Sequence, residues 1–492
     1  MKNQKFLRVN LTRLFLALIL LLTSCAPAAN PFSQIPGLDD NPQVLSPVST
    51  PTQRPYYSPG ELVDYIAQTG DTLPALASHF NSTVEEILAA NPEVPITAST
   101  MPPGFPMRIP IYFVPLWGPS YKIIPDSAFV YGPSSMDDQV ESVIAQSNGW
   151  LKNYSEPQLD GQMNTALILT EVSQHFSISP KVLLTFLELH TQGLSNPNKP
   201  ESPYYFGYEM ESHQGLYLQT VWLANQLNNA YYGWRSGSLK EFEFPDGRIE
   251  RPDPWLNAAT VAIHSALSGL VSQEEYNLLV EQGGFDQTYN KLFGNPWLND
   301  TPHIPVSLQQ PYLVLPFESG RVWNYTGGPH AGWGNGLPFA AIDFAPSGIS
   351  GCNPSDDWVT AMASGLILRS QRGEVWIDLD MDGNQQTGWV LFYLHLSTMD
   401  RIPAGAIVNQ GDRIGHPSCE GGTSTGTHVH VARLYNGEWI IADSPIPFDL
   451  DGWVVQSAGI AYKGALKKHS SEIRSSAKGE SFSVIEVQSL DR

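Results

Sequence analysis

Polar residues of the types that bind metal ions occur inside apolar, strand-like segments in the C-terminal third of the chain. Asp343 interrupts one such segment, and His395 interrupts another. Polar and apolar residues alternate over 427–431, so a strand there places His428 and His430 on one face. An imidazole or carboxylate in an apolar strand needs a partner, and two histidines on one face can share a metal centre. These segments predict β structure around a polar site.

The length and the net charge of the chain limit its class. At about 100 to 200 residues per domain, 492 residues are too many for one compact core, and we expect several domains. Lys and Arg number 27 against 48 Asp and Glu, and the resulting net charge of −21 would repel a phosphate backbone. We therefore expect no nucleic-acid partner. With 42% hydrophobic and 15% charged residues, the chain is also too apolar to be disordered.

The N-terminus has the pattern of a secretory signal. Four basic residues precede the apolar run 14–22, which is far shorter than the roughly 20 residues needed to span a bilayer. The run ends in Leu-Thr-Ser-Cys at 22–25, which resembles the bacterial lipobox. The resemblance implies that residues 1–24 are a lipoprotein signal peptide and that Cys25 is acylated. Several acyl chains give stable attachment, so we expect a protein of the bacterial cell envelope, outside the cytoplasm and lipid-anchored to the membrane.

Residues 25–60 predict an extended linker. They contain eight prolines among polar residues and show no apolar periodicity that could bury a face. At about 3.1 Å per residue, such a segment could reach on the order of 100 Å from the membrane.

Residues 61–112 predict a strand, two helices and a second strand. The turn Gly-Asp-Thr-Leu at 70–73, the helix end at 87–91 and the closing Ile109-Pro110 resemble the LysM domain. The resemblance implies a small βααβ module that binds N-acetylglucosamine-containing glycan, usually peptidoglycan, in a groove beside the first turn. A generic βααβ module without sugar affinity is the alternative.

Residues 125–300 predict a central all-α domain, in which Ser179 and Pro180 have the pattern of a helix start. The segment 180–193 faintly resembles the catalytic-helix segment of lysozyme-like transglycosylases, which would imply cleavage of glycan strands. His190, however, stands where the glutamate of that family is expected. The remaining acid candidates are Glu188, Glu209 and Glu211. A structural or binding role for this domain is the favoured alternative.

Residues 303–462 are rich in short β segments broken by Gly, Asn, Asp and Pro, which predicts an antiparallel sheet or sandwich. The polar residues 463–492 predict a loose tail. We therefore expect a multidomain α+β protein with a βααβ module, a central all-α domain and a C-terminal antiparallel β domain.

The C-terminal domain carries a ligand set for zinc. His330 lies in the glycine-rich loop 327–330, and two histidines and one carboxylate with an open position are known ligands of catalytic zinc, which acidifies a bound water. From 315 to 433 the chain resembles the lysostaphin-type zinc endopeptidases, which cut peptidoglycan peptides. Twelve residues separate His330 from Asp343 where three are usual, and this spacing resembles the β-lytic and staphylolysin branch.

The resemblance implies a role for each of five residues. By motif match, the zinc ligands are His330, Asp343 and His430. The catalytic pair is His395 and His428. We therefore expect one Zn²⁺ ion per chain.

Three residues outside this set have simpler expectations. His416 matches no ligand position and is expected to be solvated or structural. Besides Cys25, the chain has two cysteines, Cys352 and Cys419, which form an even pair outside the cytoplasm. We expect a disulfide between them.

An acidic segment resembles the first half of a calcium loop, because Asp378, Asp380 and Asp382 repeat carboxylates at every second residue before a turn glycine. Position twelve of such a loop would be Trp389, where a glutamate belongs, and the segment joins two strands. A hairpin tip that binds nothing is the favoured interpretation, and a Ca²⁺ site is the alternative.

Together these features predict a lipid-anchored, wall-binding zinc metalloendopeptidase that hydrolyses peptide cross-links of peptidoglycan. One alternative is a catalytically silent peptidoglycan-binding protein that regulates another wall hydrolase. A second alternative is glycan cleavage by the helical domain. New peptide termini, new sugar ends or neither in digested cell walls would distinguish the three.

Replacement of Cys25 by alanine is expected to abolish acylation, because only the thiol can accept the lipid. The measurement is incorporation of labelled fatty acid in cells that express the wild type or Cys25→Ala. Continued incorporation in the variant would contradict the lipoprotein prediction.

Overall fold

The computed structural model describes residues 56–158 and 161–487. The predicted signal peptide, Cys25 and most of the proline-rich linker lie outside the described residues. From Tyr56 onward the chain forms one compact unit. Within the described ranges, no helix combines the length and the apolar character needed to cross a membrane.

The N-terminal module has the expected βααβ order. Its elements are β1 (Glu61–Ile66), α1 (Leu73–His79), α2 (Val84–Ala90) and β2 (Pro106–Ile111). The strands pair antiparallel, and apolar side chains from all four elements form a small core. Each helix begins at a threonine: the Thr72 hydroxyl accepts a hydrogen bond from the Ala75 N–H, and Thr83 forms a capping box with Glu86.

The central region is mostly helical, with two short hairpins inserted. Its helices are α3 (Asp126–Phe129), α4 (Gln139–Gln146), α5 (Thr165–Phe176), α6 (Pro180–Thr191), α7 (Leu216–Arg235), α8 (Ala258–Leu270), α9 (Gln273–Leu279) and α10 (Phe285–Phe293). The hairpins are β3 (Ser155–Gln158) with β4 (Gly161–Asn164), and β5 (Phe242–Glu243) with β6 (Ile249–Glu250). As expected, Ser179 caps α6 at Pro180.

The C-terminal region is rich in antiparallel strands. They are β7 (Val322–Ala331), β8 (Phe339–Pro346), β9 (Val359–Thr360), β10 (Gly365–Gln371), β11 (Glu374–Asp378), β12 (Trp389–Leu394), β13 (Ile407–Val408), β14 (Arg413–Gly415), β15 (Val429–Tyr435), β16 (Glu438–Trp439), β17 (Asp449–Leu450), β18 (Trp453–Ser457), β19 (Gly464–Lys468), β20 (Ser471–Arg474) and β21 (Val484–Glu486). The main sheet has the order β13-β10-β11-β12-β15-β8-β7-β21, with β16 beside β15. Strands β17 to β20 form a second sheet, and β9 pairs with β14.

The C-terminal segment is not the loose tail that its polarity predicts. Strands β19 and β20 extend the second sheet, and β21 pairs with β7 at the edge of the main sheet. Leu466, Ile473 and Ile485 are buried in the core of the C-terminal region. These few apolar side chains are enough because a strand with one buried face needs an inward side chain only at alternate positions.

Alternation along β15 gives the main sheet two different faces. Val429 and Val431 pack into the core of the C-terminal region, whereas Ala432 and Leu434 pack into the core of the central helices. His430 shares the second face because residues two apart on a strand point the same way. The central helices therefore cover part of the sheet face on which His430 lies.

A buried charge network joins the three regions. The Arg235 guanidinium, at the end of α7, lies 3.0 Å from Glu438 Oε2 and also donates to the Thr69 carbonyl of the N-terminal module. Glu438 accepts a hydrogen bond from the Tyr231 hydroxyl and lies 2.6 Å from His303 Nε2. Burial acts to raise the pKa of Glu438, but the Arg235 charge and the hydrogen bonds lower it to about 2. Glu438 is therefore ionised, and its charge is compensated.

The variant Arg235→Met is expected to destabilise the protein by about 3 to 5 kcal/mol, because it removes the arginine counter-charge from the buried Glu438 carboxylate. The measurement is the free energy of unfolding in urea. Arg248→Met is the matched control, since Arg248 pairs with Asp246 at 2.7 Å on the surface. Exposed pairs contribute little, so a loss of stability of the same size in both variants would contradict the importance of the buried network.

Candidate metal centre

Three neighbouring strands bring His330, Asp343 and His430 together. In the antiparallel register His430 on β15 lies opposite Asp343 on β8, and β7, which carries His330, pairs with the other edge of β8. The sequence predicts a glycine-rich loop at His330, but this residue lies in a strand whose register shifts three times. Gly327 lies across from Asp343, and a Cβ there would be 2.2 Å from Asp343 Oδ2. The glycine thus makes room for the carboxylate.

The three side chains converge on one carboxylate oxygen. Asp343 Oδ1 lies 3.3 Å from His330 Nε2 and 3.4 Å from His430 Nδ1, and the two nitrogens are 3.0 Å apart. All three residues are buried, and Asp343 Oδ1 has no hydrogen-bond partner in the described part of the chain. A buried acceptor without a partner is costly, so this oxygen favours a positively charged occupant.

Backbone carbonyls determine which imidazole nitrogens face this oxygen. His330 Nδ1 lies 2.8 Å from the Gly328 carbonyl, and His430 Nε2 lies 3.1 Å from the Gly332 carbonyl. A carbonyl oxygen can only accept, so each of these nitrogens carries a proton. The opposite nitrogens, His330 Nε2 and His430 Nδ1, then present lone pairs to each other and to Asp343. Such outer hydrogen bonds are typical of metal-binding histidines.

The separations fit zinc. Bonds of about 2.0 to 2.2 Å in tetrahedral geometry place the ligand atoms about 3.3 to 3.6 Å apart. The separations of 3.0, 3.3 and 3.4 Å among the three ligand atoms agree with this geometry to a few tenths of an ångström. His330, Asp343 and His430 are therefore a suitable ligand set for zinc, with two nitrogens and one oxygen.

The electrostatics of the cluster also favour a cation. Burial acts to lower the pKa of His330, but the Asp343 carboxylate raises it above its usual range. Burial acts to raise the pKa of Asp343, but the positive charges of His330 and His428 hold it well below its usual range. Asp343 is thus an ionised carboxylate that attracts positive charge into a buried site.

His395 and His428 lie beside the cluster as a pair. Their ring centroids are 4.4 Å apart, and His428 Nε2 is 3.8 Å from Asp343 Oδ1. His428 Nδ1 lies 2.7 Å from the Gly426 carbonyl, and His395 Nδ1 lies 2.8 Å from the Glu420 carbonyl. Both Nδ1 atoms are therefore donors, and each ring is left with Nε2 available.

The apolar neighbours of His395 predict that it lies within a strand, but it does not. Strand β12 ends at Leu394, and His395 has a φ of 67°, in the left-handed region. This conformation is unfavourable for a residue with a Cβ, and it turns the chain out of the sheet. Burial first, and then the neighbouring His428 and His430, lower the pKa of His395 to about 3. The ring is therefore neutral at ordinary pH.

The expected disulfide between Cys352 and Cys419 is present, and it holds the loop that precedes β15. In the same loop the Ser418 N–H donates to the His395 carbonyl, and the Thr427 N–H donates to the Gly351 carbonyl. The two segments that carry the histidine pair are therefore connected to each other and to the loop after β8.

The sequence analysis does not identify Tyr462 as part of this site. Its ring stacks on His330 with centroids 4.2 Å apart, and 54% of the residue is exposed. Its backbone exchanges hydrogen bonds with the segment before His330, from the Gly328 N–H and to the Pro329 carbonyl. No local sequence pattern predicts this position, because Tyr462 lies in the connection between β18 and β19, far along the chain from His330.

The remaining candidates lie elsewhere. His416 Nδ1 is 2.9 Å from the Asp357 carbonyl and its ring packs on Trp358, so it is a structural histidine.

Asp378, at the end of β11, is buried and accepts hydrogen bonds from the Asp380 and Gly383 N–H groups. Together with Asp382, these carboxylates are close enough to hold an ion, and calcium binding stays a prediction.

The acid candidates of the central region have no catalytic arrangement. Glu188 accepts a hydrogen bond from the Leu194 N–H at 2.7 Å and so closes the turn after α6. Glu209 and Glu211 are exposed. The geometry of these three carboxylates therefore gives no support to glycan cleavage.

The turn that would line a LysM-type groove is packed against the central helices. Arg235 reaches the Thr69 carbonyl and occupies the space into which a side chain at Gly70 would extend. The Gln68 amide donates to the Trp255 carbonyl at 3.2 Å. The predicted groove beside the first turn is therefore covered, because the Arg235 side chain lies against the backbone of Thr69 and Gly70.

Comparisons with known proteins give three kinds of match: a family model, similar protein sequences and a solved structure. The family model described as "LasA, N-terminal domain" matches residues 122–307, which span the central helices. Protease LasA of Pseudomonas aeruginosa is 26% identical over 347 residues, which are 64% of this chain and 74% of that protein. Beta-lytic metalloendopeptidase of Achromobacter lyticus is 29% identical over 158 residues, 30% of this chain and 39% of that protein.

A solved structure described as a novel M23 metalloprotease, pseudoalterin, from the deep sea is 24% identical. The match covers 34% of this chain and 96% of that one, with a TM-score of 0.28. This chain is thus similar in sequence to a protease and to a metalloendopeptidase.

Proposed function

We propose that this chain is a lipid-anchored zinc metalloendopeptidase that hydrolyses peptide cross-links of peptidoglycan. The observation that carries the proposal is the buried cluster in which two imidazole lone pairs and a carboxylate oxygen face one another at 3.0 to 3.4 Å. The names of the relatives, a protease and a metalloendopeptidase, support peptide hydrolysis with a metal. The lipobox-like 22–25 and the proline-rich linker support action on the wall from a membrane anchor.

His330, Asp343 and His430 would hold the zinc ion through His330 Nε2, Asp343 Oδ1 and His430 Nδ1. When bound, zinc supplies a Lewis acid that polarises a peptide carbonyl and makes water nucleophilic near neutral pH. In the neutral rings, the carbonyls of Gly328 and Gly332 hold the protons of His330 Nδ1 and His430 Nε2, so the lone pairs are on the two ligand nitrogens.

His428 is the proton acceptor in this proposal. Its Nδ1 proton is held by the Gly426 carbonyl, so Nε2 has a free lone pair. Nε2 lies 3.8 Å from Asp343 Oδ1 and therefore borders the ligand cluster without being one of its closest atoms. From this position it can take a proton from the water that attacks the peptide.

His395 stabilises the negative charge that develops on the peptide oxygen. Its Nδ1 proton is held by the Glu420 carbonyl, and its pKa is lowered to about 3, so Nε2 carries no proton before the reaction. To donate a hydrogen bond to an oxyanion, His395 must receive a proton during the reaction. The neighbouring His428 ring, which takes the proton from the attacking water in this proposal, lies 4.4 Å away between centroids and is the nearby proton source.

The silent-regulator alternative has less support. A silent relative is expected to lack one or more of the five site residues, whereas here all five lie in one cluster. Binding of glycan in the groove beside the first turn is not part of the proposal, because that turn is covered by α7.

The variant His430→Ala is expected to lose both zinc and activity, because two ligands remain. His428→Ala is expected to retain zinc and to lose about 10²- to 10⁴-fold in turnover, the usual contribution of general acid–base catalysis. Zinc would be measured by elemental analysis, and hydrolysis of defined cross-linked peptides by chromatography and mass spectrometry.

His469→Asn is the control, since His469 is an exposed turn residue with a φ of 52°, which asparagine tolerates. It should keep both zinc and activity. If His428→Ala lost the metal while His430→Ala kept it, the two roles would be reversed. Full activity in both variants would place the site elsewhere.

A further inference from the structure

The central region contains a cavity that the peptidase mechanism does not use. Its volume is about 420 Å³, and it is open to solvent. It is lined by Asn148, Gly149, Trp150, Asn153, Tyr154, Ser155, Pro197 and Lys199. These residues come from the 3₁₀ turn Trp150–Asn153 with its flanks and from the loop after α6.

Backbone contacts hold the two sides of the cavity together. The backbone N–H of Trp150 donates to the Asn196 carbonyl at 2.9 Å, and the backbone N–H of Leu151 donates to the Gly193 carbonyl at 3.1 Å. A Cβ on Gly149 would lie 2.0 Å from the Gly193 carbonyl oxygen, so the approach needs glycine. The cavity is therefore a formed feature of the fold.

One wall of the cavity is aromatic. Trp150 is 5% exposed and stacks on Tyr205 with centroids 5.0 Å apart, and Tyr154 meets it edge to face. The Trp150 indole N–H has no hydrogen-bond partner in the described part of the chain. Trp150 thus holds the wall from behind, and the half-buried Tyr154 ring offers rigid apolar surface for small alkyl groups.

The polar side of the cavity is made of donors. Lys199 is exposed and forms no ion pair with a described residue, and the amides of Asn148 and Asn153 are likewise without described partners. None of the described lining residues is acidic, although the chain carries 48 Asp and Glu against 27 Lys and Arg. An ammonium beside two amides, with no carboxylate in the lining, favours an anionic group that also accepts hydrogen bonds.

We propose that this cavity binds the free C-terminal carboxylate of a peptide. The carboxylate pairs with Lys199 and accepts hydrogen bonds from Asn148 and Asn153, while the last side chains of the peptide pack on the Tyr154 ring. A wall stem peptide that is not cross-linked ends in such a carboxylate and carries small methyl side chains. The choice of a wall stem peptide as the ligand rests on the proposed function. The prediction that the cavity binds a carboxylate does not depend on it.

The test is isothermal titration calorimetry on the full mature chain in detergent, with EDTA present to prevent hydrolysis. The probe is a synthetic stem pentapeptide whose single carboxylate is on its C-terminal D-alanine. The matched probe is the same peptide with a C-terminal carboxamide, and chitotriose serves as a neutral N-acetylated sugar. The variants are Lys199→Ala and, as control, Lys152→Ala, because Lys152 is exposed and next to the cavity but outside its lining.

The acid peptide is expected to bind about tenfold more tightly than the carboxamide, and Lys199→Ala should remove that difference, as for loss of one charge-assisted hydrogen bond. Lys152→Ala should bind within about twofold of the wild type. Equal binding of acid and amide, an unchanged difference in Lys199→Ala, or preference for chitotriose would overturn the proposal. Failure of the zinc variants to behave as expected would count against the peptidase site and leave this binding result standing.

Discussion

The buried pair of Arg235 and Glu438 is the interaction on which the arrangement of the three regions depends. Both side chains are below a tenth exposed, and burial of either charge alone would cost several kcal/mol. The pair forms only when α7 and the β15–β16 hairpin are together, and Arg235 also donates to the Thr69 carbonyl of the N-terminal module. Segments that the sequence separates into domains therefore form one compact unit.

The same packing bears on the candidate metal centre. The face of the main sheet that carries His430 is continued by Ala432 and Leu434, which lie under the central helices. The helices also fix the connection that follows His330, since Asn225 and Asn229 accept hydrogen bonds from the Asn335 and Leu337 N–H groups. The carbonyl of Gly332, which selects the His430 tautomer, belongs to this connection. The central region is thus part of the support of the site.

Local sequence patterns predicted the elements that need only near neighbours. Strand β15 followed from alternation over 427–431, and the start of α6 followed from Ser179 and Pro180. The same reasoning failed at His330 and at His395, where it predicted a loop and a strand. The glycine-rich segment at His330 forms a strand because β8 supplies hydrogen bonds to it. Strand β12 ends before His395, whose carbonyl accepts a hydrogen bond from the Ser418 N–H in a distant loop. These events depend on partners far along the chain.

The sequence alone predicted the residue types of the site, because Asp343, His428 and His430 lie in apolar segments where an imidazole or a carboxylate needs a polar partner. It also predicted the cysteine pair, since Cys352 and Cys419 remain when Cys25 is interpreted as the acylated residue, and the structure contains this disulfide. Only the tertiary structure decided which nitrogens face Asp343, that Tyr462 stacks on His330, and that the polar C-terminus adds strands to the sheets. The reason is that carbonyl direction, ring stacking and edge pairing are set by backbone from distant segments, and a local pattern carries no information about them.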